Sequence, residues 1–570
     1  MKKKILFLLV VFLSMMASAQ KTVKIDDIYY KLFQETQEAE VTFMVRWYYV
    51  GDVVIPPVIV YEDVEYHVTS IGAKAFFKST EMTSVTIPNS VTSIGNNIFP
   101  GCTGLASIVI EEGNAVYDSR EDCNAIIETA SNKLLFGCNG TTIPNSVTSI
   151  GNASFANSGV TSIIITNGVT SIGEEAFSGC SGLTSVTIGS GVTTIGNDAF
   201  KDCDNLKRVE INNNAIVSKR YDFETDNTIN KLFGSQVEEY VLGEDVTSIG
   251  YGAFYGSPNL TSFDMSDNVT SIGESAFREC RKLSSFRMSS NVTSIGDLAF
   301  YMCFSLPSIT IPSGITDINH RTFEGCYLKK VEIHSNAIVS RDYEWDSVAS
   351  CFGPVVEQFV LGEEITSIGK NAFNGSTVMT INIPQNGTSI GEAAFMGCHR
   401  LSSILIPSNV TSIGQGAFYN CNGLNTIQVE SGNTVYDSRE NCNALIETAS
   451  NTILLGCQNT VIPNTVTAIG DNAFYMCSGL TSISIPNSVT SIGAYAFAGC
   501  DGLTAVSIPN SVTAVGKYAF NGCTQLTEIS IPNSLTTIDE GVFSFCTGIS
   551  SITIPNSVNA IGYRAFYNCI

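Results

Sequence analysis

The chain has 570 residues, 44% of them hydrophobic and 15% charged, and a formal net charge of −23. Nucleic acid and anionic membrane both demand clustered lysine and arginine, so this acidity argues against either as a partner. After the N-terminal leader no stretch is apolar enough to cross a bilayer as a helix, and no transmembrane segment is expected.

The first element is a secretory signal peptide over residues 1–19. Lys2, Lys3 and Lys4 form its basic start, Ile5 to Leu13 is an apolar run too short to span a membrane, and Ala17-Ser18-Ala19 is the small-residue cleavage pattern. Cleavage after Ala19 would release a secreted or cell-surface protein through the Sec route. No cysteine directly follows the site, so no lipid anchor is expected. Residues 20–66 read as a β-rich N-terminal cap. Val41 to Trp47 and Val53 to Val60 are its expected strands, with Gly51-Asp52 as the turn between them.

Residues 67–570 are an array of one 23-residue unit, seen plainly in Leu480-Thr481-Ser482-Ile483-Ser484-Ile485-Pro486-Asn487-Ser488-Val489-Thr490-Ser491-Ile492-Gly493, then Ala496-Phe497 and Cys500. A fixed period of this length specifies a solenoid, each coil burying its apolar edge on its neighbours. The spacing Leu480/Ile483/Ile485, repeated at Leu503/Val506/Ile508, is the leucine-rich-repeat strand signature. Its last two apolar residues face inward and the residue between them outward. Pro486 closes the strand, because proline cannot donate to a ladder. The glycine at positions such as 196 and 493 has Asn319 or Asp539 in two copies, which predicts a positive-φ turn there. The Ala-Phe pair would follow on a short helical turn. Seventeen such phenylalanines, among them Phe177, Phe200, Phe277, Phe300, Phe497 and Phe520, would stack as a spine, each ring contributing about 2–3 kcal/mol of burial. The expected fold is a solenoid: a right-handed leucine-rich-repeat superhelix of short β-strands and turns with little helix, about 17 coils plus the cap.

Four longer units interrupt the array, near residues 111–142, 212–243, 334–362 and 430–461. The first and last are near-duplicates, each with two apolar runs around Ala-Ser-Asn, and suggest a β-hairpin projecting from the array. The middle two match each other, as in Asn214-Ala215-Ile216-Val217-Ser218 and Asn336-Ala337-Ile338-Val339-Ser340. All four are either longer coils of the same stack or protruding loops that carry partner specificity.

Thirteen of the 18 cysteines lie three residues after a spine phenylalanine, and the other four copies have Ser79, Ser158, Ser257 and Ser376 there. That slot wants a small side chain, and parallel neighbours about 4.8 Å apart sit outside bridging range, so buried free thiols are expected. Cys123 with Cys138, and Cys442 with Cys457, flank the predicted hairpins and are possible disulfides in an exported protein. The four histidines are scattered and no C-x-x-C occurs, so neither a metal nor any other cofactor is expected.

The units resemble the BspA-like leucine-rich-repeat family of bacterial surface proteins. The resemblance rests on I-P-x-S-V-T-S-I-G-x-x-A-F-x-x-C at a 23-residue period, from about Tyr66 to Ile570, and on the opening segment with Tyr48, Gly51-Asp52, Ile55-Pro56 and Tyr66. One departure is Ser90, Ser488, Ser511 and Ser534 where better-known leucine-rich repeats carry a buried asparagine ladder. Ile570 follows the last spine phenylalanine by four residues, with no polar capping segment before it.

No G-x-S-x-G, H-E-x-x-H or P-loop occurs, and Glu174-Glu175 reads as an exposed helix start, so no enzyme is expected. The outward strand positions are mostly Ser and Thr. Charge enters at Lys207, Arg208, Glu210, Asp264, Arg287, Lys329, Lys330 and Glu332, which are the candidate binding face. The family resemblance implies adhesion to host extracellular-matrix or cell-surface proteins, or to other bacteria, by many weak contacts. Two other readings stand beside it: glycan binding by the hydroxyl-rich face, which is poor in aromatic platforms, and a structural spacer with no ligand of its own.

Overall fold

In the computed structural model, residues 20–222, 228–344 and 346–569 are described, and the signal peptide expected at residues 1–19 lies outside them. The chain divides into two compact units, Met1–Val269 with Ala276–Arg287, and Thr270–Ser275 with Met288–Ile570.

Unit one opens with a hairpin of β1 (Lys21–Ile25) and β2 (Ile28–Phe33), closed by Asp26 and Asp27 in the left-handed region. Next come β3 (Glu38–Val41), β4 (Val50–Val54), β5 (Val58–Tyr61) and β6 (Val64–Ile71). One sheet runs β1-β2-β3-β6-β5, and the end of β6 pairs in parallel with Ser93–Ile94 of the next coil. β4 pairs in parallel with the repeat strand Glu81–Ile87, so it acts as the first rung of the strand ladder. Gly51-Asp52 is therefore no turn. It is a bulge inside β4, where the register shifts and Gly51 takes φ +65°. The expected strand at 41–47 ends at Val41, and residues 43–49 form a loop.

The repeats form the β-solenoid that their period specifies, with strands such as Ser162–Ile165, Ser185–Ile188 and Arg208–Ile211 in parallel register. Val186 and Ile188 point inward and are fully buried. The spine stacks as expected: Phe177 on Phe200 at 5.0 Å and 3° in unit one, Phe497 on Phe520 at 5.2 Å and 7° in unit two. Phe277 lies on Phe254 at 5.3 Å, and Phe300 on Phe323 at 5.2 Å.

The coil count is about 21 rather than 17, because each interruption folds as a further coil. In the second, Glu239–Leu242 joins the ladder and Phe233 packs on Phe200 at 5.1 Å with the rings tilted by 39°. In the third, Gln358–Leu361 and Phe352 take the same places. Short helices, Asn214–Val217 and Asn336–Val339, are capped by Asn213 and Ser335 side chains accepting from the Ile216 and Ile338 amides. The predicted hairpins do form, from Ala125–Glu128 with Lys133–Gly137 and from Ala444–Glu447 with Thr452–Gly456. They do not project. Ala125, Ile126 and Ile127 are all wholly buried, and a strand apolar on both faces has no side to offer solvent.

The repeat glycine is also not at positive φ. A Cβ on Gly493 would lie 2.5 Å from the Asp471 amide nitrogen, and one on Gly196 2.5 Å from that of Glu174. Glycine is needed because two backbones approach there: Gly493 N–H donates to the Ile469 carbonyl at 2.8 Å. The left-handed residues flank the phenylalanine two places to either side, as in Asp198 and Asp202 around Phe200, or Tyr495 and Gly499 around Phe497. This segment is a pair of tight turns rather than a helix, and no helix starts at Glu174-Glu175.

Every cysteine is a free thiol. In the spine slot the thiol donates to the phenylalanine carbonyl of the preceding coil, Cys203 to Phe177 at 3.1 Å and Cys500 to Phe474 at 3.1 Å. Ser257, in the same slot, donates instead to the Phe254 carbonyl of its own coil at 2.9 Å. Cys123 and Cys138 are not joined, nor are Cys442 and Cys457: Cys138 and Cys457 direct their sulfurs at the Asn124 and Asn443 carbonyls, and Cys123 and Cys442 at those of Ala125 and Ala444. Burial pushes the Cys203 thiol up to about 12, which leaves almost no thiolate to react.

Candidate binding face

The outward strand positions divide into two sets. Threonines at the first position turn back on the scaffold, with Thr184 Oγ1 donating to the Thr161 carbonyl at 3.0 Å and Thr527 Oγ1 to that of Thr504 at 3.2 Å. The next positions face solvent at least in part, among them Ser185, Thr187, Ser484, Ser507 and Ser530, with the Ser507 and Ser530 hydroxyls 3.4 Å apart. In unit two this face carries grooves of about 890 and 640 Å³ that share Ser507, Ser530 and Asn533. Asn487, Asn510 and Asn556 continue the line of amides along them.

The predicted charged positions fall in two groups, one in each unit. In unit one Lys207 pairs with Glu238 at 2.8 Å, and Arg208 with Glu239 and Glu210 at 3.3 Å each. Further along, Arg287 bridges Asp264 at 2.5 Å and Asp267 at 3.0 Å. In unit two Lys329 meets Glu357 at 3.0 Å, and Lys330 meets Glu332 at 3.9 Å. His334 sits between Glu332 at 2.9 Å and Glu364 at 3.1 Å. Burial opposes a charge on that imidazole, but the bonds to the two carboxylates outweigh it and raise its pKa above 6.5. These side chains largely neutralise one another, and exposed pairs of this kind contribute about 0–1 kcal/mol each. Glu238, Glu239 and Glu357 belong to the interrupting units, and Glu364 lies just past the third. The sequence offered those units as longer coils of the same stack, but it did not mark which of their residues would stand on the ladder.

A second concave surface lies in the cap. Residues of β1, the β1–β2 turn, the loop 43–49 and β4 enclose about 410 Å³. Its walls include Tyr29, Trp47 and Tyr48, and the strand reading of 41–47 had concealed it.

Among the described residues no group of three or more His, Cys, Asp or Glu is placed to hold a metal ion. No described helix is long and apolar enough to cross a membrane. A parallel strand ladder with inward leucine-type residues and a buried ring column defines a leucine-rich-repeat scaffold. Family comparison agrees and is narrower: the BspA-type leucine-rich-repeat region matches six copies, over residues 61–123, 130–238, 230–346, 349–450 and 454–570, and the chain belongs to that family.

Among solved structures, a leucine-rich-repeat protein from Bacteroides ovatus is 24% identical, over 96% of this chain and 92% of its own, with a TM-score of 0.24. A leucine-rich cell-surface protein from Faecalibacterium prausnitzii is 20% identical over 96% and 95%, TM-score 0.24. One from Eubacterium ventriosum is 21% identical over 59% and 84%, TM-score 0.27. TM-scores this low carry no argument, and membership rests on the repeat match. No curated protein matches the chain.

Proposed function

We propose that the chain is an exported bacterial surface protein, adhesin-like and without an enzymatic role. Its repeat sheet would engage host matrix proteins, host cell-surface proteins or other bacteria by many weak contacts. The observation that carries this reading is the register of the outward face. Ser484, Ser507 and Ser530 line one groove coil after coil, so a partner group that suits one coil meets the same chemistry on the next. Repetition of weak sites raises avidity by orders of magnitude without any strong single pocket. The signal peptide read from residues 1–19 and membership of the BspA-type family support a location outside the cytoplasm.

The test is retention of fibronectin, fibrinogen, collagen and laminin on the immobilised full chain, beside a Ser507→Glu/Ser530→Glu double variant. Retention of at least one, weakened tenfold or more by the two charges, supports the reading. No retention of any, or retention indifferent to the groove variant, removes it.

A further inference from the structure

The cap hollow has the parts that the repeat face lacks. Trp47 and Tyr48 are 57% and 53% exposed and lie side by side on the wall of one hollow. Trp47 lies 6.4 Å from Tyr29, centroid to centroid, with the rings tilted by 48°. Arg46, just before it, has φ +79°, a costly conformation for a long side chain and one that collects at functional sites. At the other wall Asp52 Oδ1 accepts from Ser84 Oγ at 2.6 Å and Thr83 Oγ1 at 2.7 Å. Those bonds keep its carboxyl below the usual range and fix its direction.

The place for a cation is already taken. Lys24 holds its ammonium 5.0 Å over the Trp47 ring and 5.8 Å over that of Tyr29, and pairs with Asp27 at 2.7 Å. A second positive group would meet Lys24, and an anion would meet Asp27 and Asp52. A purely apolar group would strip water from carboxylates and give them no donor in return. What suits the hollow is a neutral molecule with an apolar face for the rings and hydroxyl donors for the carboxylates. A volume of about 410 Å³ is within the range of small-molecule sites.

We propose that the cap hollow is a carbohydrate site, taking a neutral pyranose with its C–H face against the part of the Trp47 ring that Lys24 leaves uncovered and its hydroxyls on Asp52 and Asp27. This site does not depend on what the repeat sheet engages, and either can fail alone.

Full-length protein is titrated with lactose, cellotriose, mannotriose and chitotriose, by calorimetry and by tryptophan emission. Trp47 and Trp345 are the only tryptophans, so Trp345→Phe isolates the Trp47 signal. The expected result is saturable binding of at least one sugar, a shift in Trp47 emission, and loss of affinity of at least tenfold in both Trp47→Ala and Asp52→Ala. Both side chains are exposed, so folding is retained. Tetramethylammonium is the cation control. The site is refuted by no response to any of the four sugars, by sugar binding unchanged in Trp47→Ala, or by tetramethylammonium binding as tightly as the best sugar.

Discussion

The cap and the repeats dispose of their aromatic rings in opposite ways. In the array each spine phenylalanine finds its own copy one coil away: Phe497 lies between Phe474 at 4.9 Å and Phe520 at 5.2 Å and is fully buried. The cap has no copies to stack. Its hairpins enclose Tyr30 but leave Trp47 and Tyr48 in solvent. In a column of copies, packing dictates the residue, and its identity says little about function. Outside such a column the packing constraint is weaker: Trp47 touches Tyr29 and Lys24 but keeps more than half of its surface in solvent.

The sharpest way to break this contrast is to truncate one ring of each kind. Phe497→Ala should lower unfolding free energy by about 3–5 kcal/mol, because both neighbouring rings lose a face and a cavity remains. Trp47→Ala should change it by no more than about 0.5 kcal/mol. Urea melts of the two variants read the difference. Equal losses would mean that Trp47 is structural after all, and would weaken the case for a cap site.

Backbone room gives the next contrast. Gly493→Ala places a methyl against the Asp471 amide of the preceding coil, and should cost about 1–3 kcal/mol through the shift it forces. Gly51→Ala in the cap meets nothing within 4 Å. Its only cost is the left-handed backbone at φ +65°, about 1–2 kcal/mol. Replacement of each by asparagine separates the causes, since asparagine tolerates positive φ but is no smaller. Gly51→Asn should recover most of the stability, and Gly493→Asn none.

The sequence announced the glycine but not its reason, and this marks where reading stopped. Period, strand spacing and the ring column were legible because they repeat. Each repetition tests the pattern again. Asparagine and aspartate in two copies suggested positive φ, yet the left-handed places are two residues before and after the phenylalanine. There Glu175, Asp198, Leu298 and Tyr518 all occur, and so mixed a set carries no composition signal. The interrupting coils were legible only as one of two alternatives, longer coils or protruding loops. Phe233 and Phe352 take the spine positions from inside short helical turns, without the Ala-Phe-x-x-Cys context that marks the others. The cap hollow is assembled from residues 24 to 54 across a bulge and a left-handed loop residue, neither of which alternation of apolar residues encodes.

The cysteine column offers a smaller effect. Cys500→Ser should cost about 1 kcal/mol or less, because a hydroxyl can donate to the Phe474 carbonyl as the thiol does. Cys500→Val, of similar bulk but with no donor, should cost more. If serine is the worse of the two, hydrophobic burial rather than the hydrogen bond selects the slot. Thiol labelling of the native chain should be slow at every cysteine but the half-buried Cys569, and should become complete only on unfolding.

The smallest expected effect belongs to His334, and it distinguishes a charged cluster that matters from one that is merely solvated. Burial disfavours the imidazolium, yet Glu332 and Glu364 raise the folded-state pKa above 6.5. The folded chain then holds this proton more tightly than the unfolded chain. The resulting stability is fully present below pH 6.5 and is lost as pH rises through the raised value. At a partly exposed site the amount is below about 1 kcal/mol. Histidine NMR should give a pKa above 6.5, and Glu364→Gln should lower it. The stability difference between the wild type and His334→Gln should shrink from pH 5 to pH 8. A difference flat across that range would leave the Glu332–His334–Glu364 cluster without energetic weight. The outward charges of unit two would then be free to reorganise around a partner at little cost.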